Sequence, residues 1–200
     1  PYVYQGEEIG MTNTDFTDIS QFRDVESLNH YCILQEKGLS ASDAFRIIQI
    51  HSRDNGRTPM QWDGTKYAGF SSEDGKEPWI GVNENHTKIN AGDQLKDEDS
   101  IFRYYQKLIA MRKELDVIAY GDIEPLAEGD SSVFAYRRCW KGHELIVTAN
   151  FYGKEYEWKK APKLEGFKCV LGNYPDTKIP ENGGLTLRPY EAAVWYSPQI

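Results

Sequence analysis

Residues 52–63 read Ser52-Arg53-Asp54-Asn55-Gly56-Arg57-Thr58-Pro59-Met60-Gln61-Trp62-Asp63. This is neither a helix interior nor a strand interior. Gly56 and Pro59 interrupt any regular period, and between them and around them stand two arginines, two aspartates, amides and a tryptophan. Fixed donors and acceptors beside an aromatic face suit a pocket for a polyhydroxylated ligand, because a planar guanidinium holds two oxygens in a set geometry. The plain alternative is a structural loop in which Arg53 and Arg57 pair with Asp54 and Asp63 while Trp62 fills a core.

The residues before this stretch read as two helices. Residues 24–37 carry Val25, Leu28, Cys32 and Gln35 on one face, and Lys37-Gly38 closes the run. Ser40 with Asp43 three residues on is an N-terminal capping pattern for a second helix bearing Ala44, Ile47, Ile48 and Ile50. Nearer the start, Tyr2-Val3-Tyr4 are strand formers, halted by Gln5-Gly6-Glu7-Glu8, and predict a buried strand. On a strand end, Glu7 and Glu8 would point to opposite sides and would anchor backbone.

Beyond residue 63 the chain stays irregular to about residue 98. A loop of that length in a compact domain is usually functional or disordered, and Trp62, Tyr67, Phe70 and Trp79 favour order. Asp99-Ser100 opens a clear helix with an apolar stripe of Ile101, Tyr105, Leu108, Met111 and Leu115, and Arg112-Lys113 suit its C-terminal dipole. From about residue 118 the period shortens. Strands are predicted at Val133–Cys139, Glu144–Phe151, Glu155–Lys159, Phe167–Leu171, Leu185–Leu187 and Ala192–Tyr196, with turns at Trp140-Lys141-Gly142 and Asn182-Gly183-Gly184. The division is therefore residues 1–117, helical and loop-rich, and residues 118–200, an antiparallel β-domain.

Composition sets limits. The 200 residues carry a net charge of −8, and no Lys/Arg-rich tract stands out. Nucleic acid and anionic membranes, which bind basic patches, are not expected partners, and no apolar run of about eighteen residues predicts a membrane span. The three cysteines, Cys32, Cys139 and Cys169, are scattered and odd in number. They predict buried free thiols in a reducing cytoplasm, not a disulfide framework. Four histidines without ligand spacing give no metal site, and no cofactor is indicated. Trp140, Trp158 and Trp195 would serve a sugar-binding surface on the β-domain only if they shared one face.

Pro1–Met11, Arg23–Asn29, Ser52–Asp63, Ala68–Phe70 and Glu77–Ile80 occur in one order. Together they resemble the C-terminal part of the α-glucosidases of glycoside hydrolase family 13, of the oligo-1,6-glucosidase, dextran glucosidase and trehalose-6-phosphate hydrolase types. The resemblance implies that Tyr2–Tyr4 is the last strand of a (β/α)8 barrel, that residues 1–117 are the end of that barrel, and that 118–200 are the C-terminal β-domain. It implies that the three catalytic carboxylates precede Pro1, leaving none here. Arg53 matches an arginine that holds the terminal glucose, and Glu26 matches a glutamate beside the next sugar. Asp54 and Arg57 would brace the loop behind them. The implied partners are a small oligosaccharide and the N-terminal barrel part of the same protein.

Chemistry limits what the chain could do alone. A retaining glycosidase needs two carboxyl groups about 5–5.5 Å apart, one with a raised pKa. Glu7, Glu8, Asp24, Glu26 and Asp54 are the carboxylates on offer, and no spacing forces any two of them together. Two alternatives stay open. Arg53 could serve only as an ion-pair partner of Asp24 or Asp54, with Glu26 a surface charge, and the chain could be a non-catalytic carbohydrate- or partner-binding module.

Overall fold

The computed structural model describes residues 2–179 and 184–198. They divide into two compact units, Pro1–Gln106 and Lys107–Ile200.

The first unit is built on helices α1 (Val25–Glu36) and α2 (Ala41–His51). Asp24 caps α1 by accepting from Ser27 N, and Ser40 caps α2 by accepting from Asp43 N. Such caps satisfy amides that the helix itself cannot. Gly38, at φ 93°, ends α1 in the left-handed region that glycine reaches without strain. The two helices enclose a cluster of Phe16, Phe22, Ile48 and Ile80, against which Leu28, Tyr31, Leu34 and Phe45 pack. The inward face of α1 is thus Ser27, Leu28, Tyr31 and Leu34. The expected face through Val25 and Cys32 is wrong, since both are exposed. Ile50 also points outward.

Tyr2–Tyr4 form no strand. No described segment pairs with them and all three are exposed, because a strand needs a neighbour to satisfy its backbone. Glu7 and Glu8 stand in a 3-10 turn, Glu7–Ile9, and not on a strand end. Glu7 does anchor backbone, accepting from Tyr4 N at 3.0 Å.

The long loop is ordered by its buried amides. Gln61 donates through Nε2 to Ile89 O (2.6 Å) and Asn85 Oδ1 (3.2 Å), and its backbone carbonyl accepts from Ala91 N. Asn83 reaches Thr12 O and Asn13 O, and Asn90 caps the short helix α3 (Ala91–Gln94). Ala68, buried at φ 54°, holds a left-handed turn whose carbonyl accepts from Trp62 N. The side chain of Trp62 remains exposed and fills no core.

The boundary between the units falls within α4 (Ile101–Glu114), which α5 (Asp116–Tyr120) follows. Among the described residues the second unit holds seven strands: β1 (Asp122–Pro125), β2 (Phe134–Trp140), β3 (His143–Ala149), β4 (Tyr156–Trp158), β5 (Lys168–Gly172), β6 (Leu185–Leu187) and β7 (Ala192–Ser197). Six match the predicted strands within a few residues. The unpredicted one, β1, is an edge strand, where Pro125 and two acidic residues are tolerated. The main sheet is antiparallel in the order β1-β2-β3-β7-β5, and β4 pairs with β6 in a second, two-stranded sheet. The β2–β3 hairpin closes over Lys141 (φ 48°) and Gly142 (φ 83°), both left-handed, as a two-residue turn requires when Trp140 faces His143. Of the predicted Asn182-Gly183-Gly184 turn, residues 182 and 183 lie outside the described residues.

The core between the two sheets gathers Ala135, Ile146, Trp158, Leu185, Leu187 and Trp195. Trp158 and Trp195 are buried, and Trp195 Nε1 donates to Thr148 Oγ1 at 3.1 Å, so the three tryptophans share no exposed surface. At the sheet margin the buried carboxylate of Glu191 is held by Arg188 (Nη2 to Oε1 2.7 Å) and Thr177 Oγ1 (2.8 Å). The cysteines are unpaired, but Cys32 and Cys139 are exposed, against the expectation of burial. Cys139 stands near the end of β2, and only Cys169 is half-buried.

Candidate functional site

The loop after α2 turns at once into a 3-10 segment, Arg53–Gly56, capped by Ser52, whose Oγ accepts from Asp54 N. This places Asp54 inward and Arg53 outward. Asp54 is 0% exposed. Its Oδ2 accepts from the backbone N of Arg23 (2.6 Å) and of Asp24 (2.9 Å), tying the loop to the start of α1. Arg57 Nη1 lies 3.8 Å from Asp54 Oδ1 and 3.6 Å from Asp24 Oδ1. Arg57 therefore meets Asp54, as one alternative expected, and meets Asp24 in place of Asp63.

Asp24 is the hub. It is 5% exposed, and both its oxygens are engaged. Oδ2 accepts from Ser27 N (3.1 Å) and Ser27 Oγ (2.7 Å); Oδ1 accepts from Arg53 Nη2 (2.8 Å). Ser27 Oγ in turn lies 2.9 Å from Ser52 Oγ, closing a ring from α1 to the loop. Burial by itself raises the pKa of Asp24, but the hydrogen bonds from Ser27 and Arg53 outweigh it, and the carboxyl sits below its ordinary range. It is a fixed anion, unsuited to the protonated acid that glycoside cleavage needs.

Arg53 rests on that anion and extends outward, with 57% of its side chain exposed. The same Nη2 lies 2.9 Å from Glu26 Oε2, on the first turn of α1. Asp24, by hydrogen bond and by charge, and then Glu26 hold the guanidinium firmly protonated. Among the described residues no hydrogen bond is made from Arg53 Nε or Nη1. The folding of α1 and its neighbouring loop thus brings together all four predicted residues, Arg53, Glu26, Asp54 and Arg57. Asp24, Ser27 and Ser52 carry a part of the site that the arginine motif does not indicate. Their signal was present as an Asp-x-x-Ser cap entering one helix and a Ser-x-Asp cap leaving the next.

A second feature adjoins this loop. A cleft of about 280 Å³ is lined by Tyr4, Gln5, Gly6, Glu7, Met11, Asn13, Asn55 and Gly56 among others. Tyr4 Oη donates to Gly56 O at 2.7 Å, and Asn55 Oδ1 accepts from Thr14 N at 3.0 Å, so the loop and the segment at residues 4–14 form one wall. Burial, and after it a hydrogen bond to Glu7, raises the pKa of the Tyr105 hydroxyl. Among the described residues no cluster of three or more metal-ligating side chains occurs, and no helix is long and apolar enough to cross a membrane.

This geometry lies on a sequence with many relatives. The trehalose-6-phosphate hydrolase of Bacillus subtilis is 45% identical over 98% of the chain, and the oligo-1,6-glucosidase of Halalkalibacterium halodurans is 44% identical over 98%. The chain spans only 35% of the length of each. Among solved structures, the trehalose-6-phosphate hydrolase of Bacillus licheniformis superposes on 98% of the chain with a TM-score of 0.90 at 45% identity, again over 35% of its own length. The isomaltulose synthase SmuA of Protaminobacter rubrum superposes on 100% of the chain, with a TM-score of 0.88 at 35% identity over 36% of its length. Residues 1–121 match the alpha-amylase catalytic domain, and with more than half of its length so matched the chain belongs to the alpha-amylase family.

Proposed function

We propose that this chain is the C-terminal portion of a retaining α-glucosidase that releases glucose from short oligosaccharides, either α-1,6-linked or trehalose-6-phosphate. In this reading residues 1–117 complete a (β/α)8 barrel on its substrate side and residues 118–200 form the β-domain that follows it. The observation that carries the proposal is the half-exposed guanidinium of Arg53, propped through Nη2 on buried Asp24, with no hydrogen bond from its Nε or Nη1 among the described residues. A planar fork fixed at its root can hold two sugar oxygens at once and orient the ring for attack. Glu26, beside it, would accept from hydroxyls of the neighbouring sugar. Asp54 and Arg57 hold the loop.

The chain's own residues bind and orient; none supplies the proton transfers. Asp24 is a committed anion and Asp54 is sealed by two backbone amides, so neither serves as the acid of the reacting pair. The nucleophile and the acid are assigned to the rest of the barrel. Relatives named both as trehalose-6-phosphate hydrolases and as oligo-1,6-glucosidases support the class and leave both substrates in play.

The test is turnover of p-nitrophenyl α-glucoside, isomaltose and trehalose-6-phosphate by the whole protein and, separately, by the purified 23.0 kDa chain. Activity confined to the whole protein supports the reading and identifies the substrate. Hydrolysis by the chain alone would refute the absence of a reacting pair, and an inactive whole protein would leave Arg53 and Glu26 as a structural ion pair.

A further inference from the structure

The turn that presents Arg53 is anchored residue by residue. Ser52 and Asp54 tie it to the start of α1, through Ser27 Oγ and through the amides of Arg23 and Asp24. Asn55 uses both ends of its side-chain amide. Its Oδ1 accepts from Thr14 N and Thr14 Oγ1, each at 3.0 Å, and its Nδ2 donates to Gln49 O (3.0 Å) and Ile50 O (3.3 Å). Gly56, which closes the turn, has no side chain to anchor it. Its carbonyl instead accepts from Tyr4 Oη at 2.7 Å, from a residue 52 positions earlier. The ring lies along the turn, since a Cβ built on Gly56 would stand 3.6 Å from both Tyr4 Cε1 and Tyr4 Oη.

Tyr4 is itself held. Its N donates to Glu7 Oε2 (3.0 Å), and its carbonyl accepts from Glu7 N (3.0 Å), a reciprocal pair that closes the turn from Tyr4 to Glu7. Glu7 is also hydrogen-bonded to the Tyr105 hydroxyl of α4. Inside that turn Gly6 has φ 89°, and a Cβ there would lie 2.5 Å from Met11 Sδ, so backbone and space both call for glycine. The Gln5-Gly6-Glu7-Glu8 segment is therefore a rigid foot for the Tyr4 side chain.

The foot matters because of how Arg53 is gripped. Asp24 and Glu26 both meet its guanidinium at Nη2. A planar group held at one nitrogen can swing about it, and a fixed Cα at the other end of the side chain is what stops the swing. A displacement of about 1 Å in a positioning group costs up to roughly 100-fold in rate. We propose that Tyr4 is a positioning residue for Arg53: its hydroxyl, acting through the Gly56 carbonyl, fixes the far end of the turn that aims the guanidinium, and Glu7 fixes Tyr4. This rests on the reading of Arg53 as the residue that holds the sugar.

The test compares the whole protein with its Tyr4→Phe variant, which keeps the ring and removes the donor. With p-nitrophenyl α-glucoside, kcat/KM is expected to fall roughly tenfold. The melting temperature should barely change, because water can replace the hydroxyl at the exposed Gly56. In an Arg53→Ala background the same substitution is expected to change kcat/KM by less than about twofold, since effects exerted through one residue do not add. An equal loss in both backgrounds would give Tyr4 a general structural role and overturn the inference, as would a variant as active as the parent. Crystal structures of parent and variant read the contact without substrate. The turn Arg53–Gly56 is expected to shift away from residue 4 and the guanidinium to tilt; an unmoved turn would overturn the inference whatever the activity. The two readings separate on these results. An active parent matched by its variant keeps the function and loses the foot, whereas an inactive parent whose turn shifts in the variant keeps the foot and loses the function.

Discussion

Arg53 Nη2 stands 2.8 Å from Asp24 Oδ1 and 2.9 Å from Glu26 Oε2, so one guanidinium nitrogen is shared between a buried and an exposed carboxylate. The two contacts are unequal. The buried one sets the position of Arg53, while the exposed one is screened by water and worth little in stability. On the proposed reading, a sugar hydroxyl would displace Glu26 and leave the support from Asp24 in place.

Replacing Asp24 should therefore cost more than replacing Glu26. Asp24→Ala removes the cap of α1 and the root of Arg53 together, with an expected loss of about 2–4 kcal/mol by urea unfolding. Glu26→Ala should change stability by less than about 0.5 kcal/mol. In the whole enzyme Asp24→Asn, which keeps an acceptor at the cap, should lower kcat/KM by roughly 10-fold or more through misplacement of Arg53. Equal stability of the two alanine variants would contradict the hub role of Asp24.

Asp54 offers a sharper contrast between side chains. Its Oδ2 satisfies the amides of Arg23 and Asp24, neither of which is left to water. Asp54→Ala strands both, at about 2–4 kcal/mol. Asp54→Asn retains one carbonyl oxygen and should recover about half of that, read from the denaturation midpoint at unchanged slope.

The pH dependence follows from Asp24 and Glu191. For Glu191, burial raises the pKa, but hydrogen bonds from Arg188 and Thr177 prevail and it lies below its ordinary 4.5; Asp24 likewise lies below 3.8. Lowered folded-state values stabilise the fold above the unfolded values and cease to do so as pH falls through the folded ones. Stability due to these groups should be level from neutrality down to the ordinary carboxylate range and then fall steeply. Glu191→Gln should flatten part of that acid limb in a melting-temperature series. A variant as acid-sensitive as the parent would remove Glu191 from the account.

At the β2–β3 turn, Lys141 and Gly142 have φ of 48° and 83°. Gly142→Ala should destabilise by about 1–2 kcal/mol, because a Cβ is unfavourable there. Lys141→Asn, which tolerates a left-handed backbone better, should stabilise by a few tenths of a kcal/mol. Calorimetric melting of the two variants checks both signs.

Six of the strands after residue 118 were legible in the sequence, close to their observed limits, because they are rich in strand-forming residues and their turns are punctuated by glycine. The start of α2 was legible through Ser40, whose cap is local. What failed depended on partners distant in sequence. Tyr2–Tyr4 have strand composition, but composition cannot supply the neighbouring strand. The inward face of α1 was misread because Ser27 is buried by a polar ring with Asp24 and Ser52, and a hydrophobic period cannot register a buried serine. Residues Arg53, Glu26, Asp54 and Arg57 could be named from their motif. Their order of support, with Asp24 beneath Arg53, needed the fold.

The strand order holds a consequence for biosynthesis. β5 finds its only partner among the described residues in β7, and β7 also completes the ladder of β3. As the ribosome delivers the chain, β1, β2 and β3 can assemble as a meander, while β5 emerges with nothing to pair with until β7 has been translated and has cleared the exit tunnel. During that interval the open edges of β3 and β5 are available to other nascent chains. A stalled or frameshifted message that loses Ala192–Ser197 would thus make a sticky polypeptide, suited to chaperone capture, and not a slightly shorter β-domain.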